Sequence, residues 1–282
     1  MYRLWNNLKT TMLLGALMGL CLGIGVLIGG RGAIIPALVI GGVMNVIAYF
    51  FSDKIALATM HAQQVTRDDD PALWDMVEQL AQRAGLPMPR VYISSAMAPN
   101  AFATGRNPRH SAVCVTAGLR EMLSNEELSG VIAHELGHVK HRDILISTIA
   151  AVVAGAISAL AYMAIMFGGR DEDRNPLVAL LVMIFAPLAA GLLQLALSRS
   201  REYEADRFGA DLAGNPNWLA NALLKLENGN QRIPTHVPEA QSSLFIVQPL
   251  TGKRMAKWFM THPPIEERVA RLREMAHGNF DF

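Results

Sequence analysis

The pentapeptide His-Glu-Leu-Gly-His, from His134 to His138, has the residue types and the spacing of a metal-dependent hydrolase. At 3.6 residues per turn, positions i and i+4 of a helix project from one face, so both histidines can offer a ring nitrogen to one metal ion. Glu135 lies beside them, where its carboxylate can accept a proton from a water molecule at the metal. The alternative is a surface helix that carries two histidines without binding a metal. Evidence from the rest of the chain is needed to choose between these two interpretations.

A catalytic zinc ion usually has three protein ligands, so the pentapeptide needs a partner from elsewhere in the chain. His141 cannot serve on an unbroken helix, because it lies about 10.5 Å along the axis from His134. Glu202 and Asp206 are better candidates, since at four residues apart one carboxylate can bind the metal while the other orients a histidine ring. The alternative for this pair is a surface helix whose acidic residues are balanced by neighbouring arginines.

The residues around these candidates predict helices and a small sheet. A Ser-x-x-Glu capping box that begins at Ser124 predicts the start of the helix that carries the two histidines. Further helices are predicted for residues 71–84, from 215 to about 228 and for 264–275, and short strands for 90–93, 101–104 and 111–116.

Four long uncharged runs predict that the chain crosses a membrane. They cover residues 12–30, 33–51, 144–167 and 177–197, and each is close to the roughly 20 residues that a spanning helix needs. The composition agrees, because 51% of the residues are hydrophobic and only 17% are charged. A signal peptide is the alternative for the first run, and a buried core hairpin is the alternative for the last two. The second run directly behind the first, and the length of the later runs, argue against these alternatives.

Basic residues at the ends of the runs predict the orientation of the chain. Seven flank one side, namely Arg3, Lys9, Lys54, Lys140, Arg142, Arg199 and Arg201, whereas three lie in the loops of the other side, namely Arg31, Arg170 and Arg174. The positive-inside rule therefore places both termini in the cytoplasm. An even number of spans separates His138 from Glu202, so these two residues are expected on the same cytoplasmic face.

The apolar runs divide the chain into four parts. Residues 1–51 are predicted to form an N-terminal transmembrane hairpin and residues 144–197 a second one. Residues 52–143 and 198–282 supply the two halves of one cytoplasmic catalytic domain, because neither half is large enough to look complete alone. The predicted fold class is α+β, a mostly helical integral membrane protein with four transmembrane helices and a cytoplasmic domain that contains a small β-sheet.

Charge and cysteine content narrow the class of protein further. The net charge of +1 gives no basic patch or stripe of the kind that binds nucleic acid, so nucleic acid is not an expected partner. The two cysteines, Cys21 and Cys114, are far apart in the sequence and suggest no disulfide framework. A reducing compartment fits this cysteine usage.

The two motifs together resemble the HtpX-type membrane zinc metalloproteases of the gluzincin group. The likeness rests on His-Glu-x-x-His followed by Glu-x-x-x-Asp at Glu202 to Asp206, with paired hydrophobic spans before and between them. It extends to the run Asn-Ala-Phe-Ala-Thr-Gly at residues 100–105 and to Thr-His-Pro-Pro at 261–264 with the following Glu267 and Arg268. The resemblance covers nearly the whole chain, and it implies a zincin-like catalytic domain.

The resemblance also implies roles for individual residues. One Zn²⁺ would be held by His134, His138 and Glu202, with Glu135 as general base and Asp206 as the partner of the first histidine. An extended substrate would lie along an edge strand at Asn100, Ala101, Phe102 and Ala103, a form of β-augmentation, although the residues alone favour an ordinary sheet strand. His262 would lie near the cleft, although two following prolines favour a structural turn.

The predicted function is zinc-dependent endoproteolysis at the cytoplasmic face of a membrane. The expected partners are polypeptide substrates, above all misfolded membrane proteins, and the lipid bilayer; the resemblance implies quality control, a stress response and a bacterial inner membrane. One alternative is a processing protease for prenylated-type peptides, which would need a chamber built from more than four spans. Another is a membrane metal sensor or scaffold without catalysis, which would not need Glu135 beside an open metal position.

Overall fold

The computed structural model describes residues 2–149, 199–232 and 263–278 of the 282-residue chain. The described elements are α1 (Tyr2–Gly29), α2 (Ile34–Thr59), β1 (Ala62–Val65), α3 (Pro71–Ala84), β2 (Arg90–Ser94), β3 (Ala101–Gly105), β4 (Ser111–Thr116), α4 (Ala117–Met122), α5 (Asn125–His141), α6 (Arg199–Ala213), α7 (Pro216–Arg232) and α8 (Ile265–Ala276). Residues 144–149 are also helical. The described parts are mostly helical with a small mixed sheet, as the α+β prediction requires.

Among the described residues, four strands form one mixed sheet in the order β1-β2-β4-β3. β4 runs parallel to β2 and antiparallel to β3, while β1 pairs antiparallel with β2. Of the strands that the structure describes, β3 is therefore one of the two at the edges of this sheet. The sequence predicts β2, β3 and β4 but misses β1, whose residues Ala-Gln-Gln-Val include only one strong strand former.

The two ends of α5 are set by local backbone chemistry. At its start, Ser124 Oγ accepts a hydrogen bond from Glu127 N, and Glu127 Oε2 accepts one from Ser124 N. This reciprocal pair confirms the predicted capping box. The helix ends where Arg142 adopts a left-handed conformation with φ of 62°, and helical structure resumes at residue 144. α5 and the start of the third apolar run are therefore two abutting helices.

The core lies between the sheet, α3 and the helices α5, α6 and α7. It includes Val77 of α3, Val113 of β4, Leu136 of α5 and Leu223 of α7, all 0% exposed. α6 packs closely on α5, because a Cβ added at Gly209 would lie 2.7 Å from the backbone nitrogen of His134. This close approach brings Glu202 and Asp206 of α6 to the histidines of α5.

The other helices follow the predictions with small shifts at their ends. α3 begins after Asp70, whose side chain accepts a hydrogen bond from Leu73 N, and it ends at Gly85, which has a φ of 64°. α7 continues to Arg232, four residues beyond the predicted end near Asn228. α8 matches its predicted span within one residue at each end.

The N-terminal helices form a hairpin around the short turn Gly30–Ala33. Among the described residues, the segment Gly30–Thr59 is the one helix long and apolar enough to cross a membrane, with a mean hydropathy of 2.1 and only 17% of its most apolar window buried. Its exposed large side chains are Ile34, Ile35, Leu38, Val39, Ile40, Val43, Val46, Ile47, Phe50 and Phe51. Exposure of so many apolar groups on one helix is expected where lipid surrounds it.

The prediction of four spans receives partial support from this part of the chain. The second predicted run, 33–51, lies in the long apolar helix, and the first lies in α1, where Leu8–Gly23 forms a shorter apolar segment. Residues 150–198 lie outside the described residues, and with them most of the third and fourth runs and the loop between them.

Candidate metal centre

Three side chains from α5 and α6 bring potential metal ligands to one point. His134 Nε2 lies 3.2 Å from His138 Nε2, and Glu202 places one carboxylate oxygen 3.5 Å from His138 Nε2 and the other 3.8 Å from His134 Nε2. In a tetrahedral zinc site with metal–nitrogen distances near 2 Å, two ligand atoms lie about 3.3 Å apart. The donor set and its spacing therefore fit a metal ion.

The contacts of the two Nδ1 atoms, on the far side of each ring from the cluster, explain why a cation fits between the two histidines. His134 Nδ1 lies 2.9 Å from Asp206 Oδ1, and His138 Nδ1 lies 3.5 Å from Asp143 Oδ2. A carboxylate at Nδ1 keeps the ring proton on that nitrogen, which leaves Nε2 with a free lone pair. Two such lone pairs and the Glu202 carboxylate then face one another, an arrangement that a positive charge between them stabilises.

The ionisation of His138 reflects the same electrostatics. Burial by itself lowers the pKa of its imidazole, but the hydrogen bond that Asp143 accepts and the charges of Glu202 and Glu135 outweigh burial and raise the pKa to about 9. In the absence of a metal ion, a proton on His138 supplies the positive charge that the cluster attracts.

Asp206 is held from its other side by a buried arginine of α8. Arg268 donates from Nε to Asp206 Oδ2 at 2.8 Å and from Nη2 to Oδ1 at 2.6 Å, and its side chain is 0% exposed. Burial raises the pKa of Asp206, but the Arg268 guanidinium outweighs it and lowers the pKa to about 2. Arg268 Nη1 also lies 3.8 Å from Glu202 Oε2, so one guanidinium contacts both Glu202 and Asp206.

Glu135 connects the metal cluster to the edge of the sheet. Its carboxylate oxygen Oε2 accepts a hydrogen bond from the backbone nitrogen of Ala103 in β3 at 2.8 Å, and the residue is 5% exposed. The contact fixes the carboxylate on the side of α5 that faces β3. A group that binds along β3 would therefore lie next to this carboxylate.

The four predicted substrate-binding residues, Asn100 to Ala103, are buried in or beside β3, with at most 8% of any residue exposed. The side chain of Phe102 packs into a second apolar cluster with Leu57 and Met60 at the end of α2. These fractions include the backbone atoms, so the main chain of this segment is covered as well as its side chains. The predicted cleft residue His262 lies outside the described residues.

His141, which the sequence excludes as a ligand, lies away from the cluster. Its ring packs edge-on against Phe208 of α6, with ring centroids 5.7 Å apart. The structure thus agrees that His141 does not join His134 and His138.

Two neighbours of the cluster carry no strong signal in the sequence. Asp143 reaches His138 because α5 ends at Arg142 in a left-handed conformation, and no glycine or asparagine marks that turn. Arg268 lies in a motif shared with the resembling family, but its contact with Asp206 spans 62 residues and depends on how α8 packs. Sequence periodicity predicts that Ile265, Val269 and Leu272 share one face of α8, and the structure buries Arg268 beside the last two.

Comparisons with known proteins find a family model and relatives that match most of the chain. The family model described as Peptidase family M48 matches residues 67–276. The chain is 52% identical over 278 residues to a Protease HtpX homolog of Syntrophotalea carbinolica, covering 96% of this chain and 99% of the relative. It is 50% identical over 279 residues to a Protease HtpX homolog of Ralstonia pickettii, covering 97% and 98% respectively.

A solved structure shares the fold at much lower sequence similarity. The crystal structure of S. mikatae Ste24p superposes with a TM-score of 0.52 at 19% identity, and the match covers 96% of this chain and 66% of that one. This similarity shows a shared backbone fold.

Proposed function

Because this chain belongs to peptidase family M48, as an HtpX-type member, we propose that His134, His138 and Glu202 hold one catalytic Zn²⁺. The chain is a membrane metalloprotease that acts on peptide or protein substrates. The observation that carries the zinc proposal is the convergence of two imidazole lone pairs and one carboxylate within 4.8 Å of one another. Zinc accepts this mixture of nitrogen and oxygen ligands, and three protein ligands leave one position open.

The residues around the cluster provide the acid and base steps of peptide hydrolysis. When bound, zinc supplies Lewis acidity that polarises the scissile carbonyl and makes a nearby water molecule more acidic. Glu135 accepts the proton of the attacking water and delivers it to the leaving amine nitrogen. Asp206 holds the Nδ1 proton of His134, so that the opposite nitrogen of the ring stays available as a ligand.

An extended substrate segment pairs with the edge strand β3 in this proposal. Asn100 exchanges hydrogen bonds with Thr116 at the end of β4, and along a strand the backbone groups of alternate residues point to the same side. The backbones of Ala101 and Ala103 therefore face away from β4, as the bond from Ala103 N to Glu135 shows for one of them. A polypeptide added along this edge has its scissile bond beside Glu135.

The proposed placement in the membrane follows from the apolar runs and their basic flanks. Residues 1–51 and 144–197 form two transmembrane hairpins, and residues 52–143 and 198–282 form the catalytic domain with both termini on the cytoplasmic side of a bacterial inner membrane. A site at the cytoplasmic ends of these hairpins can bind cytoplasmic segments of membrane proteins. Its substrates are accordingly damaged or misfolded membrane proteins, and its role is their quality control.

Replacement of Glu135 by glutamine tests the mechanism in the purified, detergent-solubilised protein. Glu135→Gln keeps the metal cluster but removes the base, so bound zinc should remain near one per chain while hydrolysis of casein falls by at least about 100-fold. Glu126→Gln is the matched control, because Glu126 is exposed in the first turn of the same helix. Hydrolysis by Glu135→Gln at the wild-type rate would refute the assignment of the base.

Chelation separates the protease from a metal-binding scaffold. The wild-type protein should lose hydrolysis when zinc is removed and regain it when zinc is added back. Zinc binding without any peptide hydrolysis would instead favour the sensor or scaffold.

A further inference from the structure

Each histidine of the cluster is backed by an aspartate, and each aspartate is backed by an arginine. The His134 group consists of His134, Asp206 and Arg268. The His138 group has the same order of residues: Asp143 Oδ2 lies 3.5 Å from His138 Nδ1, and Arg201 Nη1 lies 3.3 Å from Asp143 Oδ1. Its second and third members are both nearly buried, with Asp143 2% and Arg201 8% exposed.

The turn at the end of α5 brings Asp143 to His138. Arg142 takes a left-handed conformation, and the following backbone nitrogen, that of Asp143, donates to the carbonyl oxygen of His138 at 3.0 Å. This bond holds Asp143 against the last turn of α5 and on the side of the His138 ring. A non-glycine residue with positive φ is uncommon and persists where surrounding contacts determine it.

Arg201 reaches the same aspartate from a distant part of the sequence. It lies 58 positions after Asp143, in the first turn of α6, and it directly precedes Glu202. The two partners lie where the chain leaves for the third apolar run and where it returns from the fourth. Their ion pair therefore joins the end of the histidine helix to the start of the helix that carries the third candidate ligand.

We propose that Asp143 and Arg201 are a pair of positioning residues for the metal centre. Asp143 holds the Nδ1 proton of His138 and thereby directs Nε2 toward the metal. Arg201 neutralises the buried Asp143 carboxylate and fixes the position of Glu202 relative to α5. The inference rests on the proposed zinc function, and it adds a second carboxylate–histidine pair to that of Asp206 with His134.

Zinc affinity is the measurement that tests this proposal. If the Asp143–Arg201 ion pair were purely structural, its loss would leave zinc affinity unchanged. Partners of metal-binding histidines typically change metal affinity by about 10- to 100-fold when they are removed. In the full-length protein in detergent, competition with a chelator gives the zinc dissociation constant. Cobalt in place of zinc gives a visible absorption spectrum that reports ligand geometry.

Asp143→Asn is the central variant, because it keeps the size of the side chain and removes its charge. We expect the zinc dissociation constant to rise by about 10- to 100-fold and the cobalt spectrum to change. Asp211→Asn is the control, since Asp211 is exposed on α6 and loses the same charge. An unchanged affinity and spectrum in folded Asp143→Asn would overturn the inference.

Two arginine variants test whether Arg201 acts through Asp143. Arg201→Gln should weaken zinc binding, whereas Arg199→Gln, at an exposed position on the same turn, should leave it unchanged. The double variant Asp143→Asn with Arg201→Gln should bind zinc no more weakly than Asp143→Asn alone, because the same pair is disrupted in both. Fully additive losses would refute the coupling.

Folding failure and failure of the proposed function give separate results. Arg201→Lys keeps the charge but loses the planar geometry of the guanidinium, so it remains informative if Asp143→Asn does not fold. We expect this milder variant to bind zinc more weakly than the wild type, and wild-type affinity would count against the proposal. Absence of zinc binding in the wild-type protein itself would instead refute the zinc function, before any variant is compared.

Discussion

His134 and His138 lie one turn apart on α5, but their surroundings differ. His134 is 2% exposed and meets Asp206 at 2.9 Å, and Arg268 contacts that aspartate through two nitrogens. His138 is 16% exposed and meets Asp143 at 3.5 Å, and a single nitrogen of Arg201 reaches that aspartate. The His134 group is built inside the catalytic core, whereas the His138 group lies where the chain enters and leaves the apolar runs.

The difference indicates separate tasks for the two groups. Shorter and doubled hydrogen bonds between charged groups hold geometry more firmly than one longer contact. We therefore expect the His134 group to contribute more to the stability of the fold than the His138 group. Variants of the two groups, in decreasing order of their expected effect, test this contrast.

Removal of Arg268 should have the largest effect on stability. Arg268→Gln leaves the buried Asp206 carboxylate without its cation, which typically costs about 3–5 kcal/mol. Denaturant unfolding of the chelator-treated protein should show this loss, and zinc affinity should fall with it. Arg273→Gln, at an exposed position on the same helix α8, should change the free energy of unfolding by less than about 0.5 kcal/mol. An unchanged free energy of unfolding in Arg268→Gln would contradict the larger stabilising role of the His134 group.

Gly209→Ala should disturb the His134 group without changing any charge. The added Cβ would meet the backbone of His134 at 2.7 Å, and because backbone cannot rotate aside, α6 must shift, at a typical cost of about 1–3 kcal/mol. Glu202 and Asp206 would move with α6, so thermal unfolding and zinc affinity should both change. Gly42→Ala is the control, since a Cβ at Gly42 meets nothing within 4 Å. Wild-type stability in Gly209→Ala would contradict the close packing of these helices.

The two groups should affect the stability of the metal-free protein at opposite ends of the pH range. The pKa of Asp206 is lowered from 3.8 to about 2, so its contribution is present above about pH 4 and is lost as the pH falls toward 2. The pKa of His138 is raised from 6.5 to about 9, so its contribution is present below pH 6.5 and is lost as the pH rises through 9. Both contributions are therefore present together between about pH 4 and pH 6.5.

Unfolding curves of the chelator-treated protein across this pH range measure both effects. Asp143→Asn should reduce the loss of stability on the alkaline side and leave the acidic side unchanged. A change on the acidic side alone would reverse the assignment of the two groups.

Local sequence patterns determined much of the catalytic domain. The spacing of His134 and His138 and the capping box at Ser124 predict α5. The alternation of turns and short apolar segments predicts three of the four strands that the structure describes. All of these patterns depend on neighbouring residues. The spacing of Glu202 and Asp206 likewise predicts one face of α6. These features follow from helix and strand geometry, which the chain expresses over a few residues.

Only the tertiary structure decided which other groups complete the site. The contact of Arg268 with Asp206 depends on the packing of α8, and the contact of Asp143 with His138 depends on one left-handed residue, Arg142. The hydrogen bond from Ala103 to Glu135 depends on the register of β3 against α5. The bonds at Glu135 and Asp206 join residues 32 and 62 positions apart, and no local periodicity encodes them. The pentapeptide thus defines two ligands and a base, whereas packing supplies the charges and hydrogen bonds that orient them.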